Sequence, residues 1–132
     1  QTAEIISSKT DSFVTSDERL IEVACSALQG KPKPIEKSWQ IEEDDSTREP
    51  REEQLKRMLS FFEEKVEDND SCIIVSHGEP LTVLFYHLQK KELPKYLWSP
   101  GNEPNVVKRG EVVEVEIING VVKSVRKFSE LK

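Results

Sequence analysis

The sequence is poor in the residues that usually narrow a function. Of its 132 residues, two are cysteine, two histidine, one methionine and five glycine. Cys25 and Cys72 are too few for the disulfide framework of a small secreted domain. Cys72 heads an apolar run and reads as a small buried hydrophobe in a reducing compartment. No apolar run approaches the roughly 20 residues of a membrane-spanning helix. No signal-peptide pattern opens the chain, so a cytoplasmic location without a membrane partner is expected. A surplus of positive charge is also missing. Nineteen Lys and Arg against 25 Asp and Glu leave a formal charge of −6, which argues against nucleic acid as a partner. A small anionic molecule stays open, because a few local cations can outweigh a screened net charge. Clustered metal ligands are lacking too: His77 and His87 stand ten positions apart, with both cysteines distant. No metal and no cofactor are expected.

What is present suits one globular domain, with 36% apolar and 33% charged residues. The chain opens on Gln1 rather than Met, and Gln1–Ile6 already looks helical. Residues 1–132 are therefore expected to be a single partial domain, a fragment whose front piece lies upstream. Residues 1–9 read as a helix and Phe13–Thr15 as a short strand. Residues 30–50, with Pro32, Pro34 and the cluster Glu42-Glu43-Asp44-Asp45, read as an exposed loop or lid that Trp39 pins down. Leu55, Met58, Leu59, Phe62 and Val66 mark an amphipathic helix over 51–67. Cys72-Ile73-Ile74-Val75 is a continuous apolar run that suits a strand covered on both faces, as in a parallel sheet. A second helix begins around Pro80, and Asn119-Gly120 joins two alternating runs as a hairpin. The order predicts an α/β fold, one sheet covered by helices.

The chemistry concentrates in Val75-Ser76-His77-Gly78-Glu79-Pro80. A histidine at the carboxyl end of a buried strand, a glycine and a helix start are the parts of an anion site. Ligands of open α/β sheets bind outside the strand ends, and a helix N-terminus offers free N–H groups. The imidazole of His77 can donate to a phosphoryl oxygen, and the backbone N–H groups of Gly78 and Glu79 can contact phosphate. His87, inside the helix, reads as structural. A cysteine phosphatase is excluded, since Cys72 stands at the wrong end of the strand and no Arg follows in the loop. A serine hydrolase using Ser76 remains an alternative, although Ile74 replaces the first glycine of a Gly-x-Ser-x-Gly elbow.

The strand-Ser76-His77-Gly78-helix segment resembles the second histidine motif of the histidine phosphatase superfamily, which includes phosphoglycerate mutases and broad-specificity phosphatases. Three further segments are similar, in the right order. These are Gln1-Thr2-Ala3-Glu4, Asp17-Glu18-Arg19-Leu20-Ile21-Glu22 and Leu97-Trp98-Ser99-Pro100. The resemblance implies a three-layer, mostly parallel sheet with helices on both faces and a C-terminal hairpin, incomplete at the N-terminus. It implies that His77 stabilises charge on the transferring phosphoryl group and that Glu22 protonates the leaving oxygen. The implied partner is a small phosphorylated metabolite, and the reaction runs through a phosphohistidine.

The chain departs from the pattern in three places. It has no Arg-His-Gly, the segment that carries the nucleophile. The phosphate-binding Arg would fall just before Gln1. After Glu22 it has Cys25-Ser26-Ala27-Leu28 where a Gly-x-Trp pattern is usual. The resemblance places the missing strands on both flanks of Cys72–Val75. A strand that apolar with two free edges recruits a partner or aggregates. The expected partner is an N-terminal piece of the same domain, or a second copy that completes the sheet. The short lid and Leu97-Trp98-Ser99-Pro100 favour phosphatase over mutase. A noncatalytic α/β binding or regulatory module of the same fold is the competing reading, supported by the altered segment after Glu22.

Overall fold

The computed structural model describes residues 1–32, 38–69 and 71–131. Among them run α1 (Thr2–Thr10), a 3-10 turn (Glu18–Leu20), α2 (Ser38–Glu43), α3 (Arg51–Glu67), α4 (Gly78–Leu88), β1 (Val113–Ile118) and β2 (Val121–Lys127). Helix α3 covers the predicted range. Glu52 and Glu53 stand in its first turn and Lys65 in its last, each favourable to the helix dipole. Its apolar stripe buries Met58 and Phe62 against Leu84 of α4, and Leu20, Ile74, Val115 and Val122 close around them. A second cluster joins Tyr86 to Leu97 and Val106.

The hairpin forms as its turn residues dictate. Asn119 and Gly120 both adopt positive φ, 51° and 75°, the requirement of a type I′ turn. Val115 pairs with Val125 and Ile118 with Val121, with the register shifting between Glu116 and Ile117. Lys127 is buried at its far end, its ammonium on the Val106 carbonyl at 2.5 Å and the Glu111 carboxylate at 3.0 Å.

Several expectations need correcting. Among the described residues the sheet is this antiparallel pair, and Cys72–Val75 is not a strand. Among the described residues no backbone hydrogen bond reaches residues 72–76, and no described strand runs beside them. Cys72 is consequently exposed rather than buried, and Ile73 is 62% exposed. Phe13–Thr15 is likewise no strand, and Phe13 stands wholly in solvent. The 30–50 segment is not a loop throughout. Residues 38–43 form α2, while 33–37 lie outside the described residues. Trp39 does pin this segment, edge-on to Tyr96 at 5.3 Å. Glu43, taken as part of a solvated acidic run, is buried and accepts the N–H groups of Leu97 and Trp98 at 2.7 Å each. No helix among the described residues is long and apolar enough to cross a membrane.

Candidate active site

A cleft of about 980 Å³ opens between α1, the 72–77 segment, α4 and the hairpin. Its floor is apolar, with Phe62, Ile74, Leu84 and Val115, and the unpaired backbone of 72–76 runs along it. Glu22, His77 and Gly78 also line it, as do Lys108 and Arg109.

His77 is the N-cap of α4, in extended conformation and with its side chain free of any capping bond. The imidazole is half exposed, and its Nδ1 lies 3.4 Å from Glu22 Oε2. The two residues picked from sequence as the catalytic pair, 55 positions apart, are therefore neighbours. Glu22 is held from behind, its Oε1 accepting the Val23 N–H at 2.9 Å. The turn before it is braced on α3: Arg19 binds Asp17 at 2.6 Å and Glu64 at 2.9 Å, lies over the Phe61 ring, and its carbonyl accepts from Arg57. The Arg19 side chain hydrogen-bonded to Asp17 lowers that carboxyl from its ordinary 3.8 to about 2.

The first turn of α4 leaves backbone N–H groups outside the helix ladder. Pro80 has no N–H, and the Leu81 N–H is used by the His77 carbonyl at 3.1 Å. The donors left are those of Gly78 and Glu79, and His77 precedes them. Gly78 packs closely, since a Cβ there would press on the Trp98 ring at 3.2 Å and touch the Val107 carbonyl at 3.5 Å.

The Glu79 side chain does something the sequence did not announce. It turns away from the cleft and is 4% exposed. Its Oε2 accepts from Arg48 and from Trp98 Nε1 at 3.0 Å, its Oε1 from Gln54 Nε2 at 3.1 Å, and Arg51 Nε lies 3.9 Å away. One carboxylate thus ties α4 to α3, to the end of the 38–50 segment and to Trp98. Burial alone would lower the Arg48 pKa; the Glu79 carboxylate outweighs it and raises it. Sequence reasoning missed Arg48 and Arg51. The available signal was two arginines flanking Pro50 and an acid in a helix first turn.

Ser76 is engaged elsewhere, its Oγ donating to the Leu20 carbonyl at 2.8 Å. Neither the His77 nor the Glu22 contact involves it, so the serine-hydrolase alternative has no nucleophile–base pair in this structure. His87 is exposed on the last turn of α4, away from the Glu22–His77 end of the cleft.

The family model of the histidine phosphatase superfamily (branch 1) matches residues 1–111. The chain belongs to this superfamily. No curated protein and no solved structure matches it. For this histidine phosphatase chain, the matched span holds Glu22, His77, Gly78 and Glu79 and ends at the turn that carries Lys108 and Arg109. The hairpin lies beyond it.

Proposed function

We propose that this chain supplies the acid and anion-binding half of a site that hydrolyses a small phosphomonoester through a phosphohistidine. The observation that carries the reading is the Glu22–His77 pair, 3.4 Å apart beside the first turn of α4. The phosphoryl group sits on the Gly78 and Glu79 N–H groups with His77 donating to a nonbridging oxygen. An imidazole from an Arg-His-Gly segment attacks phosphorus, the P–O ester bond breaks, and the leaving oxygen takes a proton from Glu22. Water then attacks the phosphohistidine, returning a proton to Glu22 and releasing phosphate. Phosphatase is preferred to mutase on the short 30–50 segment, of which residues 38–50 are tied down by Trp39 and Arg48, and on the Leu97-Trp98-Ser99-Pro100 likeness.

The same reading assigns the cleft to the strand that bears the nucleophile. Its apolar floor and the free backbone edge of residues 72–76 suit an added strand. With that strand seated, the domain becomes the three-layer, mostly parallel sheet that the superfamily resemblance implies. An N-terminal piece of the same domain is the proposed occupant. A second copy in its place would register as a dimer in sedimentation.

The test is turnover of an aryl phosphate by these 132 residues alone and with an Arg-His-Gly-bearing strand joined upstream of Gln1. The chain alone is expected to be inactive and the joined protein active, with an acid-labile phosphate on the added histidine. Activity of the chain alone would refute the assignment. Inactivity of a correctly folded joined protein would favour the noncatalytic module, for which the Cys25–Leu28 departure speaks.

A further inference from the structure

Polar contacts hold residues 72–76 at a single point. Among the described residues one hydrogen bond ties this segment to the rest of the chain, that of the Ser76 hydroxyl to the Leu20 carbonyl at 2.8 Å. It joins the two stretches that carry the proposed catalytic pair. Ser76 immediately precedes His77, and Leu20 stands two positions before Glu22. The Ser76–Leu20 bond and the His77–Glu22 contact are successive rungs between the same two stretches.

The first rung is anchored at both ends. The Leu20 N–H bonds the Asp17 carbonyl at 3.1 Å, and the Leu20 side chain packs on the Met58–Phe62 cluster. The Arg19 carbonyl before it accepts from Arg57 of α3 at 2.7 Å. Ile21 is extended, with φ −69° and ψ 162°, so no turn separates the anchored Leu20 from Glu22. On the other side Ile74 packs on the same cluster, and the His77 carbonyl accepts the Leu81 N–H at 3.1 Å. The second rung has no such support. His77 and Glu22 are 50% and 56% exposed with their atoms 3.4 Å apart, and an exposed pair holds itself only weakly. The other bond to the Glu22 carboxylate comes from the adjacent Val23 N–H, which moves with it.

We propose that Ser76 is a positioning residue, a strut whose hydroxyl sets the distance between Glu22 and His77. The inference rests on the roles proposed above for those two residues. Proton transfer to a leaving oxygen requires hydrogen-bond reach, and a displacement of about 1 Å costs on the order of 100-fold in rate. Ser76 never touches the substrate; it acts through the backbone of residue 20.

Ser76→Thr and Ser76→Val in the 132-residue chain test this, because the two side chains share a shape and differ in the hydroxyl. Ser76→Ala removes the donor without adding bulk. The readout is NMR cross-relaxation between the His77 ring protons and the Glu22 side chain. Ser76→Thr should keep the wild-type cross-peak. Ser76→Val and Ser76→Ala should each weaken it several-fold, with the Met58–Leu84 packing contacts and the hairpin resonances unchanged. A cross-peak that survives in Ser76→Val and Ser76→Ala, or that Ser76→Thr loses as well, overturns the strut. Loss of the hairpin resonances in both variants without the donor also overturns it, since the hydroxyl would then serve folding at large. Inorganic phosphate added to the wild type tests the underlying reading separately. If it shifts neither His77 nor Gly78, the phosphoryl site is wrong and the strut has no reaction to serve, whatever the cross-peak does.

Discussion

Replacing Glu79 with alanine is expected to cost roughly 3–5 kcal/mol of stability, the scale set by stripping one partner from a buried ion pair. The loss is large because the carboxylate has several clients. Arg48 would be left charged in a site where its side chain is 14% exposed, and Gln54 and Trp98 would lose acceptors. Domains of this size are stable by roughly 5–15 kcal/mol in total, so the variant stands near its unfolding threshold. Urea denaturation of the wild type, Glu79→Ala and the double variant Glu79→Leu/Arg48→Met measures it. The double variant should recover most of the loss, because it removes both charges and fills the space. A cost below about 1 kcal/mol for the single variant would mean that water already reaches the pair.

With an Arg-His-Gly-bearing strand joined upstream of Gln1, His77→Ala is expected to lower kcat roughly 100- to 1,000-fold, the effect of deleting one donor to a developing oxyanion. Glu22→Gln should behave differently, and the contrast separates the two roles. A leaving group that needs a proton, such as an alkoxide, should lose roughly 100- to 10,000-fold with Glu22→Gln. A nitrophenolate leaves without a proton, so its ester should lose little. His77→Ala should harm both substrates alike. Equal losses for the two esters in Glu22→Gln would assign Glu22 to holding His77 rather than to proton transfer.

The helices and the hairpin were legible because their signals are local. The stripe from Leu55 to Val66 fixes α3, and Asn119-Gly120 fixes the turn whatever surrounds it. Cys72–Val75 was misread for the opposite reason. An apolar run states what a segment would bury, but a strand exists only beside another strand, and none is described there. The Glu42–Asp45 cluster failed similarly: composition makes it solvent-facing, while Arg51 and two backbone N–H groups draw Glu43 inward. At the site, the helix start after His77-Gly78 was legible from the turn and helix signals, although the strand expected before it is absent. Glu22 was not, since nothing local distinguishes it from the other glutamates; the resemblance supplied it, and the fold brings it to 3.4 Å from His77. The Glu79 network joins residues 19 to 31 positions apart in sequence, and its one local trace is the pair of arginines flanking Pro50.

The most direct measurement is a titration of the 132-residue chain with inorganic phosphate, watching the His77 imidazole and the amide N–H groups of Gly78 and Glu79, with His87 as the internal reference. Saturable shifts at the first three and none at His87 are expected, weakened by His77→Ala. Phosphate that leaves His77 and Gly78 unmoved, at concentrations where it perturbs other surface cations, would contradict the claim that the start of α4 is a phosphoryl site.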